Sequence, residues 1–114
     1  MKVIIAGCRD YANWSDFLNC MDTITYDITE VVSGGSNGGD LVGEEYVYTK
    51  NIPLKKFPAD WKTHGKAAGP IRNRLMAEYG DALIAFWDYK SRGTQNMIQE
   101  MTKLNKPVKI FKVV

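Results

Sequence analysis

The chain has 114 residues, a charged fraction of 25%, a hydrophobic fraction of 45% and a formal net charge of +2. This length predicts one domain that buries a core without disulfides or metals. The net charge is too small to indicate by itself a protein that binds nucleic acid or membrane surfaces. The sequence has one histidine and two cysteines with no metal-type spacing, so no metal site is expected.

The amino-terminal residues do not resemble a secretion signal, because Met1 and Lys2 lead directly into an apolar run. No apolar segment approaches the roughly 20 residues that a membrane-spanning helix needs. We therefore expect a cytoplasmic protein with reduced thiols and no membrane partner. No motif predicts a bound cofactor.

Predicted strands and helices alternate along the chain. Continuous apolar runs predict central strands at residues 3–7 and 82–87, and shorter runs predict strands at 29–32, 54–57 and 108–114. Apolar residues three and four positions apart predict four helices, at 14–28, 41–49, about 68–79 and about 93–104. In the third of these helices the predicted buried side is Ile71, Leu75, Met76 and Tyr79. Residues 59–66 are predicted to form a polar loop.

This alternation predicts an α/β fold, a Rossmann-like sandwich with helices on both faces of a parallel sheet. Lysines at 55, 56, 109 and 112 favour edge positions for the third and fifth strands. The strand order 3-2-1-4-5 satisfies these constraints with right-handed crossovers. Ligands of such sheets bind at the carboxyl ends of the strands, where the winding reverses. Three unusual loops converge there, at residues 7–10, 33–40 and 87–94.

The most unusual loop is Ser33-Gly34-Gly35-Ser36-Asn37-Gly38-Gly39-Asp40. Glycines let the backbone turn sharply and approach a ligand, and the first turn of the following helix offers free N–H groups. The same composition is also typical of a plain surface turn. Its spacing differs from the GxGxxG fingerprint of dinucleotide-binding loops.

The chain resembles the YspA-like branch of the SLOG superfamily, which is related to LOG phosphoribohydrolases and to the DNA-processing protein DprA. The matching segments are Gly7-Cys8-Arg9-Asp10, the glycine loop 33–40, Pro58-Ala59-Asp60-Trp61, the segment 65–73 and Arg92-Gly93-Thr94. Cys8 stands where the family more often has serine. The resemblance implies a nucleotide or ADP-ribose-like ligand in the cleft, and the association of the chain as a homodimer or higher homo-oligomer.

The residues expected to bind this ligand come from those segments. Arg9 and Arg72 can hold a phosphate, although Arg9 can also pair with Asp10. Asp40 can cap its helix or accept a ribose hydroxyl, and Trp61 and Trp87 can stack on a base or pack as rim residues. His64 is expected to be a surface residue. The full predicted set is Gly7, Cys8, Arg9, Asp10, Gly34, Gly35, Ser36, Asn37, Gly38, Gly39, Asp40, Trp61, Gly69, Pro70, Arg72, Asn73, Trp87, Arg92, Gly93 and Thr94.

The choice between an enzyme and a binder depends on one position. LOG enzymes carry a glutamate on the helix turn after a Gly-Gly-x-Gly-Thr loop, and here Met97 occupies that position. Hydrolysis of an N-glycosidic bond normally needs a carboxylate. In the absence of that glutamate, the possible carboxylates near the expected cleft are Asp10, Asp40 and Asp88. The sequence favours a non-catalytic nucleotide sensor or sequestering protein, with a nucleotide N-glycosidase as the alternative. DprA-like DNA binding is disfavoured because lysines and arginines are scattered through the chain.

Overall fold

The computed structural model describes residues 1–8, 10–35 and 39–113. Its sheet contains five parallel strands in the order β3-β2-β1-β4-β5. The strands are β1 (Lys2–Gly7), β2 (Glu30–Ser33), β3 (Leu54–Lys56), β4 (Ala82–Trp87) and β5 (Val108–Lys112). The predicted Rossmann-like fold and strand order are confirmed. The predicted last strand was longer, and Val114 lies outside the described residues.

Helices cover both faces of this sheet. They are α1 (Trp14–Met21), α2 (Gly39–Lys50), the short α3 (Trp61–His64), α4 (Ala68–Tyr79) and α5 (Arg92–Lys103). Helices α1 and α2 pack on one face, and α4 and α5 pack on the other. Because the chain changes face between β3 and β4, the winding direction reverses between the neighbouring strands β1 and β4.

The central strands β1 and β4 are buried on both sides, as their apolar sequences require. Ile4 pairs with Leu83 and Ile5 with Ile84, and all four side chains are fully buried. Odd-numbered residues of β1 face α1 and α2, whereas Ile4 and its even-numbered neighbours face α4 and α5. The pairing continues to the register Gly7 with Phe86, which places the ends of β1 and β4 side by side.

Helix α1 is shorter than predicted. The spacing of apolar residues suggested a helix to residue 28, but α1 ends at Met21. Thr23 Oγ1 donates a hydrogen bond to the Cys20 carbonyl oxygen, and such local bonds compete with helix continuation. Ile24 and Ile28 still pack against the core from irregular backbone, so the apolar pattern predicted burial correctly and helix length incorrectly.

The buried side of α4 also differs from the prediction. Ile71 and Leu75 were expected in the core, but they are 39% and 51% exposed. Met76 is buried as predicted, but the helix buries Asn73 and Ala77 in place of Ile71 and Leu75, because it packs against α5 as well as the sheet. The buried Asn73 is polar, and its amide is hydrogen-bonded, as buried polar groups normally are. A pattern of apolar residues could therefore not reveal this side of the helix.

The predicted polar loop 59–66 contains the short helix α3 and a following 3₁₀ turn, Gly65–Ala67. Asp60 explains the local folding, since its side-chain carboxylate accepts a hydrogen bond from the Thr63 backbone N–H at 3.1 Å. His64 ends α3 on the surface, as expected.

Close contacts fix the approach of α2 to the sheet and the end of α4. A Cβ atom at Gly43 would lie 2.9 Å from Ile5 Cγ2, so glycine allows α2 to approach β1. At the other end of the sheet, the Lys106 ammonium donates hydrogen bonds to the carbonyl oxygens of Ala77, Glu78 and Gly80. These three acceptors lie at the end of α4, where a cation also stabilises the helix dipole.

Within the described residues, no helix is long and apolar enough to cross a membrane.

Candidate functional site

A cleft of about 530 Å³ lies at the carboxyl end of the sheet, beside the point where the winding reverses. The three loops that the sequence predicted to converge contribute to it, together with α4. Ten of the predicted site residues line it, namely Gly7, Cys8, Asp10, Gly34, Asp40, Arg72, Asn73, Arg92, Gly93 and Thr94. Four further lining residues were not predicted to contact the ligand: Ala6, Met76, Ser91 and Met97.

Other predicted site residues lie elsewhere or cannot be placed. Arg9, Ser36, Asn37 and Gly38 fall outside the described residues. Gly39 is the first residue of α2. Gly35 is exposed in the left-handed backbone region at a φ of 75°, which glycine tolerates best. The lining contributed by the described residues does not include Gly35, Trp61, Gly69, Pro70 or Trp87.

Arg72 is the cation that the structure fixes most firmly in the cleft. Its Nη1 donates to the Gly34 carbonyl oxygen at 2.7 Å and to the Phe57 carbonyl oxygen at 3.4 Å. Its Nε donates to Asn73 Oδ1 at 2.9 Å. Burial lowers the pKa of Arg72, while the nearby Asp40 carboxylate opposes that shift. Since a guanidinium stays charged in proteins, the cleft holds a partly buried positive charge of fixed orientation.

Asn73 lines the cleft and also makes structural hydrogen bonds. Its amide nitrogen donates to the Gly93 carbonyl oxygen at 3.2 Å and to Asn96 Oδ1 at 2.9 Å. Its amide oxygen already accepts the bond from Arg72. The side chain therefore joins α4 to the beginning of α5 and orients Arg72 at the same time.

The opposite side of the cleft is the loop between β4 and α5. Asp88 Oδ1 accepts hydrogen bonds from the backbone N–H groups of Lys90 at 2.8 Å and Ser91 at 2.7 Å. These bonds hold the pKa of Asp88 below its ordinary value of 3.8, with the Ser91 bond contributing most. Trp87 Nε1 donates to the Ser91 carbonyl oxygen at 3.0 Å, and its ring stacks on Tyr89. Trp87 and Asp88 thus shape the loop from outside the cleft.

Helix α5 begins in this loop and directs its first turn into the cleft. Ser91 occupies the N-cap position, and its side chain makes no capping hydrogen bond. The first backbone N–H groups of α5, near Arg92 and Gly93, therefore have no side-chain acceptor among the described residues. An anion is the kind of ligand that such a helix end favours.

Helix α4 does not offer the same kind of helix end. Gly69 and Pro70, which were predicted to bind the ligand, belong to the first turn of this helix. The 3₁₀ turn precedes α4 directly, and the Ala68 N–H already donates to the Gly65 carbonyl oxygen. Trp61 lies over Gly69, since a Cβ there would meet its ring at 3.4 Å. In this structure α4 contributes side chains to the cleft, chiefly Arg72.

The floor of the cleft is apolar. Met76 and Met97 are almost fully buried and line it together with Ala6. Met97 is also the residue that the resemblance to LOG enzymes places at the position of their glutamate. Cys8 is also buried, and desolvation raises the pKa of its thiol, with the Asp88 charge adding to the effect. A thiol of this kind stays protonated and is a poor nucleophile.

Two buried polar groups near the cleft were missed in the sequence. Ser33 is fully buried at the end of β2, and Glu44 of α2 is 9% exposed. Ser33 Oγ donates to Glu44 Oε2 at 3.0 Å. A signal was present, because Glu44 lies four residues after Asp40 and three before Val47, on the helix side that faces the sheet.

Comparison with known proteins assigns the chain to a family. Residues 1–64 match the YspA, cpYpsA-related SLOG family, and the chain belongs to this family. The Gene 61 protein of Mycobacterium phage D29 is 30% identical over 119 aligned positions, which cover 94% of this chain and 93% of that protein. No solved structure matches the chain significantly. The resemblance seen in the sequence is confirmed, and membership in this family points to a nucleotide-related binding or processing role.

The described residues set limits on the chemistry of the cleft. They include no group of three histidine, cysteine or acidic side chains that could hold a metal ion. They provide two cations, Arg72 and Arg92, two carboxylates, Asp10 and Asp40, and an apolar floor. This combination suits a ligand with an anionic group, hydroxyl groups and an apolar ring.

Proposed function

We propose that the cleft binds a nucleotide or ADP-ribose-like small molecule, and that the protein senses or sequesters a nucleotide signal. One observation carries this proposal: the Arg72 guanidinium is oriented by Gly34 and Asn73 and shares the cleft with the uncapped beginning of α5. A phosphate between them would receive charge-assisted hydrogen bonds from a cation and backbone N–H groups. The hydroxyl-binding partners of a ribose would be Asp10 and Asp40.

Binding without catalysis is supported by the floor of the cleft. Met97 cannot stabilise an oxocarbenium ion or position water, as the glutamate of LOG enzymes would. Asp88, one of the three alternative carboxylates, is engaged in the backbone of its own loop. Asp10 and Asp40 do line the cleft, and for that reason an N-glycosidase remains the second candidate function.

One experiment separates the two candidates. Isothermal titration calorimetry of the parent protein with ADP-ribose, AMP, NAD and cyclic nucleotides measures binding, and chromatography of the same mixtures measures release of free base. We expect heat of binding for at least one compound and no base release above the protein-free control. Base release that disappears in Asp10→Asn or Asp40→Asn would establish the enzyme. The absence of binding across the panel would refute the nucleotide ligand.

We also propose that the protein forms a homodimer or higher homo-oligomer. Ile71 and Leu75 stand one turn apart on the outer side of α4, and Trp61 is 60% exposed nearby in the chain. Apolar side chains exposed together on one helix favour a protein partner, and a second copy is the commonest one. Sedimentation velocity should give a dimer or larger species at micromolar concentration, and Ile71→Asp with Leu75→Asp should give a monomer. A parent that sediments as a monomer would contradict the proposal.

We further propose the cytoplasm as the compartment in which this binding takes place. Both cysteines are free thiols in the structure, with Cys8 buried and Cys20 partly buried. A reducing compartment keeps such thiols from forming mixed disulfides. Fractionation of expressing cells with an antibody to the protein tests this proposal directly.

A further inference from the structure

Glu44 is a buried carboxylate that neither the core nor the lining of the cleft explains. It is 9% exposed on the side of α2 that faces the sheet. Burying an ionised carboxylate is unfavourable unless its oxygens receive hydrogen bonds or a counter-charge. Glu44 has both, because Oε2 accepts from Ser33 Oγ at 3.0 Å and Oε1 lies 2.9 Å from Lys56 Nζ.

The contact with Ser33 determines what the serine hydroxyl can do. Its single proton is donated to Glu44, so the lone pairs of Ser33 Oγ are left to accept. The backbone N–H of Gly35 donates to this oxygen at 3.1 Å. Glu44 thereby fixes Ser33 as the acceptor that holds Gly35, whose φ of 75° turns the glycine loop.

The same turn sets the direction of the neighbouring carbonyl group. Gly34 is buried between Ser33 and Gly35, and its carbonyl oxygen accepts the bond from Arg72 Nη1 at 2.7 Å. The contacts therefore form a continuous series from Glu44 through Ser33 and the Gly34–Gly35 backbone to the guanidinium in the cleft. Glu44 itself does not line the cleft formed by the described residues.

The sequence provides for this arrangement at two further positions. Gly43 lets α2 approach Ile5 closely, which brings the next residue, Glu44, within reach of β2. Lys56, at the end of the edge strand β3, supplies the counter-charge from the surface, where its side chain is 56% exposed. The contact with Glu44 raises the pKa of Lys56.

We propose that Glu44 is a positioning residue for the ligand site: through Ser33 it holds the Gly34–Gly35 turn and, through the Gly34 carbonyl, the orientation of Arg72. The effect on ligand affinity rests on the function proposed above. The effect on the glycine turn does not, and it can be observed in the ligand-free protein. The competing explanation is that Glu44 only forms an ion pair with Lys56 that ties α2 to β3.

The test substitutes Glu44→Gln, with Glu45→Gln as the matched control. Glutamine keeps the shape of glutamate, but one end of its amide is a donor, so it cannot accept from both Ser33 and Lys56. Glu45 is the next residue of the same helix and is exposed, so its substitution makes the same chemical change away from Ser33. Ser33→Ala removes the same link from its other end and carries the test if Glu44→Gln does not fold.

The first measurement is the ¹H–¹⁵N spectrum of the ligand-free proteins. In Glu44→Gln and Ser33→Ala we expect shifts of the Gly35 amide and Arg72 Nε–H resonances, with the Gly80 amide unchanged as a measure of the intact fold. In Glu45→Gln all three should stay at their parent positions. Unchanged Gly35 and Arg72 resonances in folded Glu44→Gln and Ser33→Ala variants would overturn the proposal, whatever the protein binds.

The second measurement is the affinity for ADP-ribose by calorimetry. Loss of one net hydrogen bond corresponds to about fivefold weaker binding, which we expect for Glu44→Gln and Ser33→Ala. The double variant should bind no more weakly than Ser33→Ala alone, because Glu44 acts through Ser33. Lys56→Met should bind like the parent. If Lys56→Met weakens binding as much as Glu44→Gln does, or if the double variant shows additive losses, the ion pair is sufficient and the positioning role is wrong.

Discussion

The two sides of the cleft are held in place by different means. The glycine side, residues 33–35 with Asp40, depends on groups from distant parts of the chain, namely Glu44 and Arg72. The helix side, residues 88–94, is held mainly by its own neighbours, since Asp88 binds the backbone of Lys90 and Ser91, and only the bond from Asn73 to the Gly93 carbonyl oxygen comes from another helix. The contacts of the glycine side, in contrast, require α2 and α4 to be packed on opposite faces of the sheet.

The strongest test of this difference compares the two arginines of the cleft. Arg72→Ala removes a partly buried cation with three hydrogen-bond acceptors, so we expect at least tenfold weaker nucleotide binding and a loss of about 1–3 kcal/mol in the free energy of unfolding. Arg92→Ala removes an exposed cation from the helix side. Its binding loss should be about threefold, with unfolding unchanged.

Calorimetry for binding and urea denaturation for stability measure both quantities. If Arg92→Ala destabilises the protein as much as Arg72→Ala, the two sides depend equally on distant contacts and the comparison fails.

A second test substitutes one glycine on each side. A Cβ at Gly34 would lie 2.5 Å from Arg72 Nη1 and 3.0 Å from Asp40 Oδ2, so Gly34→Ala must displace the guanidinium. We expect binding to weaken by about tenfold, because a charge-assisted hydrogen bond is lost. A Cβ at Gly93 meets nothing within 4 Å. Gly93→Ala should stabilise α5 by up to about 1 kcal/mol, since alanine favours helix. Thermal unfolding measures the stability of both variants, and calorimetry measures the binding of Gly34→Ala. A Gly34→Ala variant that binds like the parent would contradict the close contact between Gly34 and Arg72.

The smallest effect is expected at Asp88. Asp88→Ala removes the acceptor of two backbone N–H groups and should lower the free energy of unfolding slightly near neutral pH, by less than Arg72→Ala does. The folded-state pKa of Asp88 lies below its ordinary value of 3.8, so its contribution is complete above that value. It is lost as the pH falls through the lower folded-state pKa. The stabilities of the parent and the variant should therefore converge under strongly acidic conditions, and a constant difference down to pH 2 would contradict this assignment.

The sequence predicted the fold because its signals were local and consistent. The apolar runs of β1 and β4, the lysines of the edge strands and the alternation of elements all led to one topology. The end of α1 was missed because the Thr23 hydroxyl donates to the Cys20 carbonyl oxygen, a competition that an apolar pattern does not display. The outer side of α4 was missed because the polar Asn73, and not Leu75, faces α5.

The cleft was predictable in outline and not in its supporting contacts. The loops could be placed at one edge because the carboxyl ends of parallel strands coincide. The bond between Arg72 and the Gly34 carbonyl joins residues 38 positions apart, and no local pattern indicates it. The same is true of the bonds from Asn73 to Gly93 and Asn96, which join two helices.

The bonds of Lys106 to the end of α4 have a practical consequence for studying the protein. Reagents that acylate amines would remove the charge and two of the donors that hold the carbonyl oxygens of Ala77, Glu78 and Gly80. Labelling at this lysine would loosen the helix that carries Arg72, although the label itself would sit at the opposite end of that helix. A fluorescent probe or surface linkage for binding assays should therefore use an exposed side chain such as Lys62, and mass spectrometry should verify that Lys106 is unmodified.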